Sequence, residues 1–192
     1  MMPLNTFFWL VVLMFSLVGA LRGWVRELLV TLAIISAYFL RWLFLNIIPF
    51  VREYLKERSA LDQFYIFSVL FIIMALFGYA GPAISPYLAG KARREKVQDL
   101  ILGFIVGAAN AYLLAGTIWG FLHAANYGLP PNLPQDLPPE ALQNIPGLWG
   151  IRVPDPQVAR FAETFLPQAW MSDQMILILT GVTLIVVLVV LL

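Results

Sequence analysis

The chain has 192 residues, 61% of them hydrophobic and only 12% charged, well under the ~25% of a soluble globular chain. Its mean hydropathy of +0.84 excludes that class, and a net charge of +1 offers no strongly basic surface to nucleic acid. Cysteine is absent, which removes disulfides, thiolate metal sites and thiol nucleophiles together and leaves the redox compartment open.

Apolar windows approaching or exceeding ~20 residues recur, the length a helix needs to cross the hydrocarbon core. The expected fold is therefore all-α, an integral multi-pass membrane bundle of four core spans plus a C-terminal fifth. The first span is Pro3 to Leu21, which carries no charge. Its Val18-Gly19-Ala20 looks like a signal cleavage site, but Met1 to Thr6 hold no Lys or Arg, so the run is read as a span. The second, roughly Trp24 to Asn46, contains Arg41 and is stopped by Pro49. Residues Val51 to Asp62 read as a short charged hairpin. A third span starts near Phe64 and runs to about Leu88, and the breakers between Gly78 and Pro86 predict a kink or a broken helix. A basic cluster follows (Lys91, Arg93, Arg94, Lys96), then a fourth span from Leu100 to about His123.

Three segments result: a four-helix membrane domain over 1–123, a Pro-rich loop over 124–173 and a terminal transmembrane helix over 174–192. Nine of the thirteen prolines fall in the loop, so Leu129 to Pro139 should be extended, with polyproline character. Asp155-Pro156 is a good helix start. Val158, Phe161 and Phe165 then repeat on one side, predicting a short amphipathic helix on the membrane or on the bundle. Met175 to Leu192 is 18 uncharged residues, ~27 Å as a helix, capped by Ser172 or Asp173. Six basic residues (Arg22, Arg26, Lys91, Arg93, Arg94, Lys96) share one side if the N-terminus is outside, against three (Arg52, Lys56, Arg58) on the other. The positive-inside bias then makes the first group cytoplasmic and the Pro-rich loop extracytoplasmic.

Between the first two spans, Arg22-Gly23-Trp24-Val25-Arg26-Glu27 leaves no room for a loop, so the chain reverses around two arginines. Four residues apart, Arg22 and Arg26 are expected on one helical face at the membrane surface. In the fourth span Gly103, Gly107, Ala111 and Ala115 form a ladder of small side chains, the kind of face that lets another helix approach closely. Whether that helix belongs to this chain or to another is open. Asp99 is expected to cap the fourth helix, to pair with Arg22 or Arg26, or both. Arg41 should snorkel outward rather than face a pore. Asn110, near mid-membrane, should hydrogen-bond across helices. His123 is the only histidine, which with no cysteine provides no metal-ligand set. Val18 to Trp24 faintly echoes Val106 to Tyr112, a pattern that a duplicated helix pair or chance would produce.

The segment Gly19-Ala20-Leu21-Arg22-Gly23-Trp24-Val25-Arg26-Glu27-Leu28-Leu29 resembles the start of the colicin V production protein family, small multi-pass bacterial inner-membrane proteins. The family pattern continues with an Asp before the fourth span, a Gly-x-x-x-Gly, and a basic residue followed by Gly. Asp99, Gly103 and Gly107 match it. Asn110 stands where the basic residue is expected, Ala111 replaces the glycine, and Leu100 replaces an Arg often found after the Asp. The resemblance covers the first four spans. It implies an inner-membrane accessory role in toxin (bacteriocin) production or export and in cell-envelope homeostasis. Its motif residues here are Arg22, Gly23, Arg26, Glu27, Asp99, Gly103, Gly107 and Asn110. No Gly-x-Ser-x-Gly, His-Glu-x-x-His or buried aspartate pair is present, so no enzyme, catalytic residue, cofactor or metal is expected. A small channel or transporter subunit is the alternative, favoured by the broken third span and opposed by the lack of any Asp or Glu deep in a span. The expected partners are the lipid bilayer, membrane proteins the sequence does not identify, and further copies of the chain.

Overall fold

Backbone groups in hydrocarbon have no water to bond, so a spanning chain must satisfy them internally. A computed structural model describes residues 3–80, 96–130, 133 and 137–191, and among these there is no strand. The long helices are α1 (Leu4–Arg22), α2 (Trp24–Asn46), α4 (Ala60–Ala80) and α5 (Lys96–Ala124). All four are long and apolar enough to cross a membrane. Between them lies the short α3 (Pro49–Lys56); after them come α6 (Pro139–Asn144), α7 (Pro156–Phe165), α8 (Pro167–Trp170) and α9 (Asp173–Leu191). The apolar stretch of α9, Asp173–Ile185, is shorter and makes a weaker span.

The helix directions alternate as successive crossings require. On α5, Gly103 meets Gly19, Gly107 meets Phe15, and Trp119 lies 5.4 Å from Phe8, so α1 runs antiparallel to it. Thr31 meets Asn110, Tyr38 meets Thr117 and Arg41 lies over Phe121, so α2 runs parallel to α5. On α2, Val30 faces Gly78 and Tyr38 lies 4.8 Å from Phe71, which makes α4 antiparallel. α1 packs chiefly along α5 rather than on α2, so the first two helices splay apart with α5 between them. α9 lies along α2.

Lipid supplies no hydrophobic drive for these contacts, so close fit must hold the helices together. The ladder on α5 meets α1 of the same chain. A Cβ on Gly107 would stand 2.7 Å from the Phe15 carbonyl oxygen, and one on Gly103 or Gly19 would collide with the other's backbone. Away from this seam, Leu13, Met14 and Leu17 on α1 and Val69, Leu76 and Phe77 on α4 point outward.

Several elements start where capping chemistry puts them, not where hydropathy alone suggested. Pro49 does not merely stop α2: it opens α3 at the first helical position, inside what reads as a charged hairpin. α4 begins at Ala60 because Ser59 and Asp62 cap it reciprocally. The Ser59 hydroxyl accepts from the Asp62 N–H at 3.1 Å, and the Asp62 carboxylate accepts from the Ser59 N–H at 3.3 Å. α5 is already helical at Lys96, the first described residue of that segment and a turn before the expected Leu100. Gly78 to Ala80 are helical; the rest of the expected break, and Lys91, Arg93 and Arg94, lie outside the described residues. In the Pro-rich segment, Asp155 caps α7 by accepting from the Gln157 and Val158 N–H groups, both at 3.0 Å. This helix lies on the bundle, where Phe161 packs among Phe8, Trp9 and Trp119. Leu166 and Pro167 are buried beside Gly116, and the Tyr112 hydroxyl donates to the Phe165 carbonyl. Leu129 and Pro138 are extended; residues 131, 132 and 134–136 lie outside the described set. Ser172 caps α9, its hydroxyl accepting from the Met175 N–H at 3.3 Å.

Candidate functional site

A single residue separates α1 from α2. Gly23 has φ 82°, a left-handed conformation that glycine adopts without strain, and its N–H closes α1 on the Gly19 carbonyl at 2.9 Å. A Cβ at this position would stand 2.6 Å from an Asp99 carboxylate oxygen. Two constraints, backbone sign and space, therefore converge on one glycine.

This break corrects the expectation that Arg22 and Arg26 share a helical face. Arg22 is the last residue of α1 and Arg26 belongs to α2, so the four-residue spacing does not run along one helix. Arg26 is exposed, whereas Arg22 turns into the bundle. Its Nη1 donates to Glu27 Oε1 at 2.8 Å, its Nη2 donates to the Tyr79 carbonyl at 3.2 Å, and its Cζ lies 4.4 Å from the Tyr79 ring centroid. The cation is thus held by a carboxylate, a carbonyl and a ring face.

Glu27 carries the main surprise. It lies in the first turn of α2, at the end of the span, yet it is 0% exposed, a burial not anticipated from the sequence. Its second oxygen, Oε2, accepts from Asn110 Nδ2 at 3.1 Å, and the same amide donates to the Glu27 main-chain carbonyl at 2.8 Å. Asn110 therefore does hydrogen-bond across helices, as its position in the span predicts. On its other side, Asn110 Oδ1 accepts from the Thr31 hydroxyl at 2.7 Å. Thr31 has one proton to give, so its 3.1 Å approach to the Glu27 carbonyl is the weaker alternative. Asn110 lies seven residues, about 10 Å, along α5 from the Gly103 contact.

Asp99 does not take its expected place as the cap of the fourth long helix. α5 has already begun at Lys96, so Asp99 sits within its first turn instead of capping it. The carboxylate reaches the neighbouring helix, and Oδ1 accepts from the Trp24 N–H at 3.3 Å. It thereby satisfies one of the N-terminal donors of α2 and sits in the positive end of that helix dipole.

Of the eight motif residues, Arg22, Glu27 and Asn110 form one continuous network. Gly23 and Asp99 form the adjoining turn, Gly103 and Gly107 provide the close approach to α1, and Arg26 is exposed beside that turn. Thr31 and Tyr79 complete it, although neither stands out in the sequence; each recurs at a buried or half-buried position only when α2, α4 and α5 are brought together. Every polar atom of the Asn110 amide and both Glu27 oxygens are engaged, an arrangement suited to positioning helices. Arg41, at the other end of α2, is half-buried, its Cζ 5.1 Å from the Phe67 ring centroid and 5.3 Å from that of Phe121. His123 shares Nδ1 with the Tyr127 hydroxyl at 2.9 Å and points Nε2 to Glu163 at 3.6 Å, joining α5 to α7. Among the described residues no group of three or more His, Cys, Asp or Glu side chains converges as metal ligands would.

The sequence model of one family, described as colicin V production protein, matches residues 4–135. No curated protein and no solved structure matches the chain. The matched stretch takes in α1 to α5, the glycine turn, the glycine seam and the whole Arg22–Glu27–Asn110 network, and it exceeds half of the 192 residues. The chain belongs to the colicin V production protein family.

Proposed function

We propose that this chain is a non-catalytic accessory protein of the bacterial inner membrane that contributes to toxin production or export and to envelope upkeep. The observation that carries the reading is the closed polar network. Arg22, Glu27, Asn110 and Thr31 engage one another inside the bundle, an arrangement that joins α1, α2 and α5. Family membership supplies the process. In this reading the N-terminus and the loop with α6 to α8 are extracytoplasmic, and Lys96 is on the cytoplasmic side, as the basic-residue count favours. Partners would be membrane proteins of a secretion or envelope complex, and further copies of the chain.

The test is complementation. In a bacteriocin-producing host lacking its own family member, the wild-type chain should restore toxin in the medium. Glu27→Leu, expressed at an equal membrane level, should not. Toxin secretion that is the same with and without the chain would refute the accessory role. A transporter subunit is the second reading, and Glu27 favours it, because a buried carboxylate is the usual element of an ion relay. Against it stands the pairing of both carboxylate oxygens. Uptake or efflux by proteoliposomes containing the chain alone would decide for the transporter.

A further inference from the structure

We infer that the wedge between α1 and α2 is a binding site for the end of a bilayer lipid's acyl chain. Because α1 and α2 share a one-residue turn and splay around α5, a partly open cavity of about 140 Å³ remains between them. Its wall is formed by Val11 and Phe15 of α1, Val30 and Ile34 of α2, and Leu114 and Ala115 of α5. Asn110 and Tyr79 close the end nearer the turn. Asn110 has its amide committed to Glu27 and Thr31, and the Tyr79 ring packs on Phe15 at 5.9 Å. A water in this space would lack the two to four polar partners it needs.

What fills an apolar wedge depends on what surrounds it. The outer face of α1 beside it, Leu13, Met14 and Leu17, is half or more exposed and continues the lipid-facing belt. A second helix, about 10–12 Å across, is too thick for the cavity. A flexible hydrocarbon chain from the adjoining bilayer fits both the shape and the chemistry. The small side chain of Ala115 keeps the space open: a bulkier residue there would fill it.

The test uses the full chain in vesicles of phosphatidylethanolamine and phosphatidylglycerol doped with a phosphatidylcholine carrying a diazirine near the acyl end. After irradiation, adducts should concentrate on Phe15, Ile34 and Ala115 above the belt positions Leu13 and Met14. Ala115→Phe and, independently from the other helix, Val11→Phe should remove that excess and leave belt labelling unchanged. Equal labelling of wedge and belt, or an excess that survives in both filled variants, overturns the site. Ala115→Cys needs no bulky side chain and tests the contents directly in the cysteine-free background. Its modification by a water-soluble maleimide would show an aqueous space, and a disulfide between copies would show that another copy fills it. Either result overturns the inference, and protection from both supports it.

Discussion

Removing Arg22 should damage the protein more than removing the charge it pairs with. Arg22→Met leaves the Glu27 carboxylate fully enclosed with its Oε1 stripped of the 2.8 Å partner, while Asn110 still holds Oε2. Losing one member of a buried pair in this way costs about 3–5 kcal/mol. Glu27→Gln is gentler, because the amide keeps an acceptor for Asn110. The Arg22 side chain, 22% exposed, also retains the Tyr79 carbonyl and ring and some access to water. A loss of about 1–2 kcal/mol is expected there. The double variant Arg22→Met/Glu27→Gln removes both charges and should lie closer to the parent than Arg22→Met does, giving a coupling of at least about 1 kcal/mol in a double-mutant cycle. Reversible unfolding in mixed micelles, followed by the fluorescence of the six tryptophans, measures all three. Additive losses, or a loss below about 1 kcal/mol for Arg22→Met, would refute the claim that this pair is buried and coupled.

Gly107→Leu should destabilise by about 1–3 kcal/mol in the same assay, since its Cβ alone would meet the Phe15 carbonyl at 2.7 Å; unchanged stability would dissolve the α1–α5 seam. Asp99→Asn should be mild, because an amide oxygen can still accept from the Trp24 N–H, whereas Asp99→Leu should lose about 0.5–2 kcal/mol; equal effects would remove the cap. Burial pushes the Tyr127 phenol up to about 12, so the folded state holds this proton more tightly than the unfolded chain, whose tyrosines ionise near ~10. Its contribution to stability is full below ~10 and is lost as pH rises towards about 12, and Tyr127→Phe should flatten that alkaline decline; an unchanged profile would contradict it. For orientation, a cysteine at Glu140 should react with impermeant maleimide in intact cells and one at Lys96 should not, and the opposite pattern would invert the topology.

The four long spans were legible because each is a run of apolar side chains of bilayer length, a property of consecutive residues. Capping was legible too where it was sought: Asp155-Pro156 reads correctly, and Ser59-x-x-Asp62 carried the start of α4 in the same alphabet. Pro49 shows the weakness of a single rule, since the residue that ends one helix also begins the next. The Arg22 and Arg26 face failed because helical spacing presumes unbroken helix, and Gly23 breaks it. Glu27 was hidden for a different reason. It bonds Asn110, 83 residues away, and no local pattern around an acid that follows two arginines reports so distant a partner. The ladder on α5 was visible, but its partner Gly19 was not, because small residues show that a helix is near without saying which.

The glycine turn also constrains how such a chain is made. During synthesis α1 and α2 enter the bilayer long before α5 exists, and α1 has little contact with α2 to hold it in place. Glu27 must wait for Asn110, but Arg22 is only five positions away and is available at once. The hairpin can therefore go in with its opposite charges already neutralised, a local pair acting as a temporary escort until the fourth long helix arrives. Slow or failed delivery of α5 would leave that hairpin as a substrate for membrane quality control.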